Sequence, residues 1–333
     1  MIITKELFTS EISRLSIQGK NWVIGLSGGA DSLCLTLLAS EYLIENTGYL
    51  RACIVDHKLR PESSTEILPT IEILKKHSID YKVLVWEHSE ITGSIEQKAR
   101  AARYDLLYQY CKETNSEVLM TAHHSLDQWE TFFMRLSRGS SLKGLSAIKP
   151  FSKFKDIHLA RPLLRFSPWD IRETLRDRFG IDEYVKDPSN DLEKFERVRW
   201  RKAYQSLSND YGLNLENITK TVERLQSSNE CLDEIAQNIL DDIFDGIYIN
   251  IKKFQNLHME IRIRILNMII NSLSDKGLHI VSYSLLQKVS LDICRKDFSA
   301  TNLSGLVFRR DRTKNVKVFK ESRKIPNFSN LSE

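Results

Sequence analysis

One stretch, residues 22–43, limits the possible folds more than any other. An apolar run, Trp22-Val23-Ile24-Gly25-Leu26, ends in Ser27-Gly28-Gly29-Ala30-Asp31-Ser32. A segment of helical character follows through Leu33, Leu35, Leu37, Leu38 and Leu43. The order reads as strand, phosphate-cradling turn and helix N-terminus. Adjacent glycines let backbone N–H groups face an anion with no Cβ in the way. The helix that follows adds the positive end of its dipole and the unpaired N–H groups of its first turn. Ser32 offers a hydroxyl to phosphate. Asp31 is the odd member, because an anion repels phosphate, and a divalent cation bridging the two resolves the repulsion. A Gly-Gly turn with a capping Ser and Asp is common by itself. The whole six-residue string after a strand is what favours the phosphate reading.

The alternation continues beyond it. Strands are expected at 52–55, 81–86 and 118–122, and helices at about 62–77, 94–114 and 127–138. Pro69 inside the first of these helices implies a kink or a later start. The resulting order, β-α-β-α-β-α-β-α, is the signature of an α/β fold with a doubly wound parallel sheet. Ligands of such sheets bind beyond the carboxyl ends of the strands. Three polar clusters fall on that edge: Ser27–Ser32 after the first strand, Asp56-His57-Lys58-Leu59-Arg60 after the second, and His123-His124-Ser125-Leu126-Asp127 after the fourth. A Ser/Gly/Lys-rich stretch to Pro150 reads as a loop over the site. Arg161-Pro162-Leu163-Leu164 reads as an edge strand. Ser167 before Pro168 reads as the N-cap of a helix that stops at Gly180.

A polar interval at 206–214 suggests a boundary. The expected domains are a catalytic unit, 1–210, and a smaller, mostly helical C-terminal unit, 215–325. The second unit carries a long amphipathic pattern at 215–244, a short strand at 247–251, helices at 259–273 and 284–294, and a hairpin at 301–320. A net charge of +4 argues against a chain that is basic throughout, so local clusters of Arg and Lys matter more than the total. No apolar run approaches about 18 residues, so no membrane span is expected. Cys34, Cys53, Cys111, Cys231 and Cys294 stand singly, without metal spacing, which fits a reducing cytoplasm.

The cradle lacks the lysine of a Walker loop and the third glycine of a dinucleotide fold. It resembles the PP-loop of the N-type ATP pyrophosphatases, a Rossmann-like class. Within that class the chain resembles the tRNA(Ile)-lysidine synthetases. The match rests on SGGADS (27–32), VDHKLR (55–60), ARAARY (99–104), AHHSLDQWET (122–131), RLSRGSSLKGL (135–145), RPLL (161–164) and DPSN (187–190), followed by Arg197 and Arg201.

The resemblance implies a reaction in two steps. ATP adenylates C2 of the first anticodon cytidine of an isoleucine tRNA with a CAU anticodon, releasing pyrophosphate. Free L-lysine then displaces AMP to give lysidine. ATP is the co-substrate and Mg²⁺ the expected ion, with Asp31 and Asp127 as its carboxylates. Catalytic roles fall on Asp31, Asp127, Glu130, Arg100 and Arg103. Nucleotide contacts fall on Ser27, Gly28, Gly29, Ala30, Asp31, Ser32, Asp56, His57 and His123. Glu130, one turn beyond Asp127, faces the same way and would hold the lysine ammonium or act as its base. Arg100 and Arg103, three apart on one helix, would reach phosphate or the target base.

Taken singly, these residues have plainer readings. They are an exposed arginine face, a structural histidine pair and acids favouring a helix N-terminus. Two positions depart from the family pattern: Leu126 stands where many members have an acid, and Val198 where they often have Asn. The basic footprint of a tRNA partner is expected at Arg135, Arg138, Lys143, Lys194, Arg197, Arg199, Arg201 and Lys202, and in the tail at Arg309, Arg310, Arg312, Lys314 and Lys317. The tail resembles the family's substrate-binding domain through the NLSGLVFRR region. Longer members carry a further C-terminal domain that this sequence is not expected to include. A homodimer is compatible with the resemblance. Two other classes compete. One is another PP-loop tRNA-modifying enzyme such as a thiolase, which the isolated cysteines disfavour. The other is a non-catalytic nucleotide or tRNA-binding module, which the three acids at one edge disfavour.

Overall fold

The computed structural model describes residues 1–58, 63–88, 93, 95–185, 196–274, 281–313 and 315–321. Arg60, the DPSN string, Lys194 and Lys314 therefore lie outside the described residues. The chain divides into two compact units, Met1–Leu225 and Gln226–Glu333.

In the first unit α1 (Lys5–Arg14) precedes β1 (Asn21–Leu26), α2 (Ala30–Glu45) and β2 (Tyr49–Asp56). The helix expected at 62–77 is two pieces, α3 (Ser63–Glu66) and α4 (Leu68–Lys76). Pro69 sits in the first turn of α4, where its missing N–H costs nothing. Then come β3 (Tyr81–Val85), α5 (Ile95–Glu113), β4 (Val118–Met120), α6 (Ser125–Leu136) and α7 (Leu142–Leu145). The hairpin β5 (Phe151–Phe154) and β6 (Ile157–Ala160) leads to α8 (Pro168–Phe179) and α9 (Glu196–Tyr211). The strand expected at residues 161–164 is displaced to β6. Pro162 cannot donate to a ladder, and Leu163 and Leu164 are apolar because a turn carries them into the core.

The sheet order is β3-β2-β1-β4-β6-β5. The first five strands run parallel and β5 closes the edge antiparallel. The sheet is buried on both faces, so its strands are nearly continuous apolar runs. Trp22, Ile24 and Leu26 pack with α1, α2, α4 and α8 on one side. Val23, Cys53 and Leu119 meet Leu107 and Cys111 of α5 on the other. The strand order reverses between β1 and β4, which is where sheets of this kind form their crevice at the carboxyl ends.

The polar interval near 206–214 lies within this unit, where α9 gives way to α10 (Leu215–Ile243). Leu215, Ile218 and Val222 of α10 cluster with Leu126 and Trp129. That burial accounts for an apolar Leu126 in place of an acid. In the second unit, β7 (Tyr248–Ile249), α11 (Ile251–Phe254), α12 (Met259–Leu273), α13 (Tyr283–Cys294), β8 (Ala300–Leu303), β9 (Leu306–Arg310) and β10 (Val316–Lys320) follow. Its antiparallel sheet, β7-β10-β9-β8, packs Phe308, Val316 and Val318 against Phe254, Ile265, Leu266 and Ile269. None of the described helices is long and apolar enough to cross a membrane.

Candidate active site

The cradle is a tight backbone turn. Gly28 has φ +82°, and a Cβ there would lie 2.5 Å from Thr70 Oγ1 and 3.1 Å from Val185 Cγ2. Glycine is required both by the left-handed backbone and by the space. Gly29 is the N-cap of α2 and brings no side chain to the first-turn N–H groups, which leaves that end of the helix suited to an anion. The two serine hydroxyls work within the turn. Ser32 Oγ donates to Gly29 O at 3.0 Å and lies 3.1 Å from Ser27 Oγ, and the Ser27 N–H donates to Ser32 Oγ at 3.2 Å. Ser32 was expected to offer its hydroxyl to phosphate; here that hydroxyl holds the loop's shape.

Three acids gather at the crevice. His124, only 6% exposed, lies between two of them. Its Nε2 is 3.6 Å from Asp31 Oδ2 and its Nδ1 3.4 Å from Asp127 Oδ2. The capping box of α6 builds this arrangement: the His124 N–H donates to Asp127 Oδ2 at 2.9 Å while the His124 ring accepts from the Asp127 N–H. Burial raises the Asp31 pKa, and the Asp127 charge adds to the effect, against His124. Burial pushes Asp127 the same way, but His124 and His123 outweigh it and hold its carboxyl below the usual range. Glu130 is 1% exposed, and Arg201 Nε of α9 donates to its Oε1 at 2.7 Å. Burial and the Asp127 charge still raise its pKa, with Arg201 opposing. Trp129 Nε1 donates to Trp200 O at 3.1 Å and locks α6 to α9, which sets where Arg201 stands.

The sequence candidates separate into two flanks. On the β2 side, Asp56 accepts from the Lys58 N–H at 2.9 Å and shapes the turn. His57 Nε2 accepts from Arg103, 3.3 Å from Nε and 3.1 Å from Nη2. Burial, then the Arg103 charge, pushes the His57 pKa down to about 4, so the ring is neutral and able to accept. On the β4 side, His123 Nδ1 lies 3.0 Å from Thr121 Oγ1, and burial likewise pushes its pKa down to about 4. Arg100 lies over the Tyr104 ring, its Cζ 5.3 Å from the centroid. Arg100 and Arg103 thus serve different ends of the crevice despite sharing a helix face.

The basic footprint is partly spent on structure. Arg135 Nη1 donates to the carbonyls of Gly144 and Ala147, at 2.7 and 3.2 Å, and so braces the α7 turn instead of facing solvent. Arg138 pairs with Glu196, and Arg201 turns inward to Glu130. In the second unit Arg310 donates to the carbonyls of Ile293 and Arg295. Arg309 and Lys317 oppose each other on β9 and β10 beside Phe319. Arg161, singled out in the sequence only through RPLL, follows β6 directly and donates to Lys149 O at 2.6 Å. All five cysteines are free. Burial raises the thiols of Cys34 and Cys53, and pushes Cys111 up to about 12, so these three are inert packing groups.

Comparison with known proteins follows the same lines. Residues 4–206 match a PP-loop domain. The tRNA(Ile)-lysidine synthase of Wolbachia pipientis wMel is 32% identical over 96% of this chain and 75% of its own length. That of the Wolbachia of Brugia malayi is 30% identical over 98% of this chain and 76% of its own. Among solved structures, the U34-tRNA thiolase NcsA of Methanococcus maripaludis overlays with a TM-score of 0.53, at 20% identity, over 66% of this chain and 79% of its own. The last is a likeness of fold.

Proposed function

The chain belongs to the tRNA(Ile)-lysidine synthase family of PP-loop proteins, and on that premise we propose how its own residues carry the reaction. The enzyme is an ATP-using ligase that forms lysidine on tRNA(Ile). In the first step the C2 oxygen of the anticodon cytidine takes the AMP group of ATP and pyrophosphate leaves. In the second, the amine of free lysine attacks C2, AMP departs with the oxygen, and the amine gives up a proton.

The observation that carries this reading is the convergence of the Ser27–Ser32 turn with Asp31, Asp127 and Glu130 at one sheet edge. The backbone of the turn and the N-terminus of α2 receive the phosphates that become pyrophosphate. Asp31 and Asp127 suit Mg²⁺, which takes one or two protein carboxylates and fills its shell with phosphate oxygens and water. No cluster of three His, Cys, Asp or Glu among the described residues would cage a metal without them. Bound there, Mg²⁺ would neutralise charge building on the phosphates. Glu130 receives the lysine amine. Its raised pKa suits a group that takes a proton as the amine attacks, and Arg201 fixes the carboxylate's orientation. His57 seats Arg103 beside the nucleotide. The second unit, with Arg309 and Lys317, contributes tRNA contacts. The reading puts the enzyme in the cytoplasm, where ATP, lysine and tRNA meet.

The test is incubation with ATP, labelled lysine and a panel of tRNAs. Lysine enters only an isoleucine tRNA with a CAU anticodon, with one pyrophosphate released per lysine. ATP turnover on some other substrate, with no lysine in RNA, would refute it.

A further inference from the structure

Trp169 stands in the first turn of α8 and is 48% exposed. An indole left in water is a large apolar ring with no partner on its open side. Three contacts fix its place. Ile171, Thr174 and Leu175 are buried and turn one face of α8 into the core, so Trp169 and Arg172, three apart, share the outward face. Phe166 O, just before the helix, accepts from the Ser125 N–H at 2.9 Å, which sets the start of α8 beside the start of α6 and next to His124. Tyr204 of α9 lies against the indole, ring centroids 5.9 Å apart, and meets the fully buried Trp129 edge-on at 5.0 Å. Trp129 adjoins Glu130, and Tyr204 lies one turn beyond Arg201, whose Nε holds Glu130. The aromatic row Trp169-Tyr204-Trp129 thus runs from the surface to the residue beside that acid. Arg172 is exposed, makes no ion pair among the described residues, and its charge is felt at Asp31.

We propose that Trp169 and Arg172 form a base-stacking platform for the anticodon loop and hold the adenine that follows the target cytidine in CAU. The inference rests on the lysidine-forming reading for the identity of that RNA. Neither residue belongs to the basic footprint read from the sequence. A cytidine whose C2 enters the crevice must leave the stack of its loop, and its neighbour then loses a stacking partner. The indole replaces that partner, and a purine gives it the larger face. The base brings its phosphate with it, and a guanidinium one turn away meets that phosphate. Charge favours RNA over an apolar partner: Arg197 and Lys202 are exposed on α9, the helix that backs the ring. Trp169 is a positioning residue for the RNA and takes no part in bond making.

The experiment measures equilibrium binding of two anticodon stem-loops to the full chain, one with CAU and one in which that adenine is replaced by an abasic site. Trp169→Leu weakens binding of the CAU loop roughly ten- to hundredfold, the range for losing one base–aromatic stack, and Trp169→Phe recovers most of it. The wild type loses a similar factor with the abasic loop, and Trp169→Leu loses nothing further there. Tryptophan fluorescence is quenched by the CAU loop, less so by the abasic loop, and the difference vanishes in Trp169→Phe. Arg172→Gln lowers the slope of log K against log salt by about one. ATP binding is unchanged throughout. Binding of the CAU loop by Trp169→Leu within twofold of wild type, with only a lower melting temperature, would overturn the platform and leave the indole as packing for Tyr204. Losses from Trp169→Leu and from the abasic site that simply multiply would overturn it too, because the ring would then hold another base. So would weaker ATP binding with RNA binding intact, since the ring would then serve the nucleotide. Should Trp169→Leu fail to fold, the wild-type quench decides: equal quenching by both loops refutes the platform, and a quench that needs the adenine and is lost in Trp169→Phe supports it. Wild-type protein that forms no lysidine would sink the functional reading instead, and the stem-loop measurements would still test the platform.

Discussion

The centre of the crevice and its β2 flank use histidine in different ways. At the centre, three acids stand close together and each has a basic neighbour: His124 lies between Asp31 and Asp127, and Arg201 holds Glu130. On the flank, His57 accepts from Arg103 and its pKa is pushed down to about 4, so its ring is neutral. Two of the acids at the centre keep raised pKa values because burial outweighs their partners. The flank spends a neutral ring on seating an arginine. The difference separates two uses of histidine, one set between carboxylates and one that positions a cation.

Three changes would sharpen or break this contrast. The largest effect is expected of Asp31→Ala. Pyrophosphate release should fall roughly a thousandfold, in the range seen when a group stabilising developing charge is removed, while tRNA retained on a filter stays within about twofold. Unchanged release would remove Asp31 from the reaction. Next is Glu130→Ala, which leaves Arg201 with no acid in contact. Lysine transfer should fall by about 10²–10⁴, the range for losing a general base, and adenylated tRNA should accumulate. Stability should fall by about 1–3 kcal/mol, less than for a fully enclosed pair, since the Arg201 side chain is 38% exposed. Equal losses in both chemical steps would refute a role specific to lysine.

The smallest effect is the pH dependence of stability. His57 and His123 have folded pKa values of about 4, below the ordinary 6.5. As pH falls, the unfolded chain takes up these protons first. The stability they contribute is therefore full above pH 6.5 and is lost between about 6.5 and 4. Asp127, held below 3.8, loses its contribution only at lower pH, and Glu130, raised above 4.5, works against the histidines. The melting temperature should fall across that window, and His123→Gln should flatten part of the slope. A curve flat from pH 7 to 4.5 would break the assignment of neutral rings.

How far the sequence could be read varied with how local the cause was. The cradle was legible because two glycines, a strand and a helix start are neighbours in the chain. The α6 box was hidden because its cap is His124, a residue type outside the usual Ser, Thr, Asp and Asn. Arg161-Pro162-Leu163-Leu164 misled because two buried leucines in a turn look like a strand when burial is not known. Leu126 has its reason in Leu215, Ile218 and Val222, nearly ninety residues later. Arg135 looked like a phosphate contact and is a brace, since nothing in its neighbours tells where a long side chain ends.

The sequence by itself determined the alternation of strand and helix, the glycine turn and the sheet edge on which the chemistry falls. These follow from backbone geometry and hydrophobic period, which act over a few residues. Only the tertiary structure decided which charges meet. It put His124 between Asp31 and Asp127, gave Glu130 to Arg201 and turned Arg103 to His57. Those pairings depend on distances across elements remote in the chain, and charge interactions take their size from burial that only the packed fold creates.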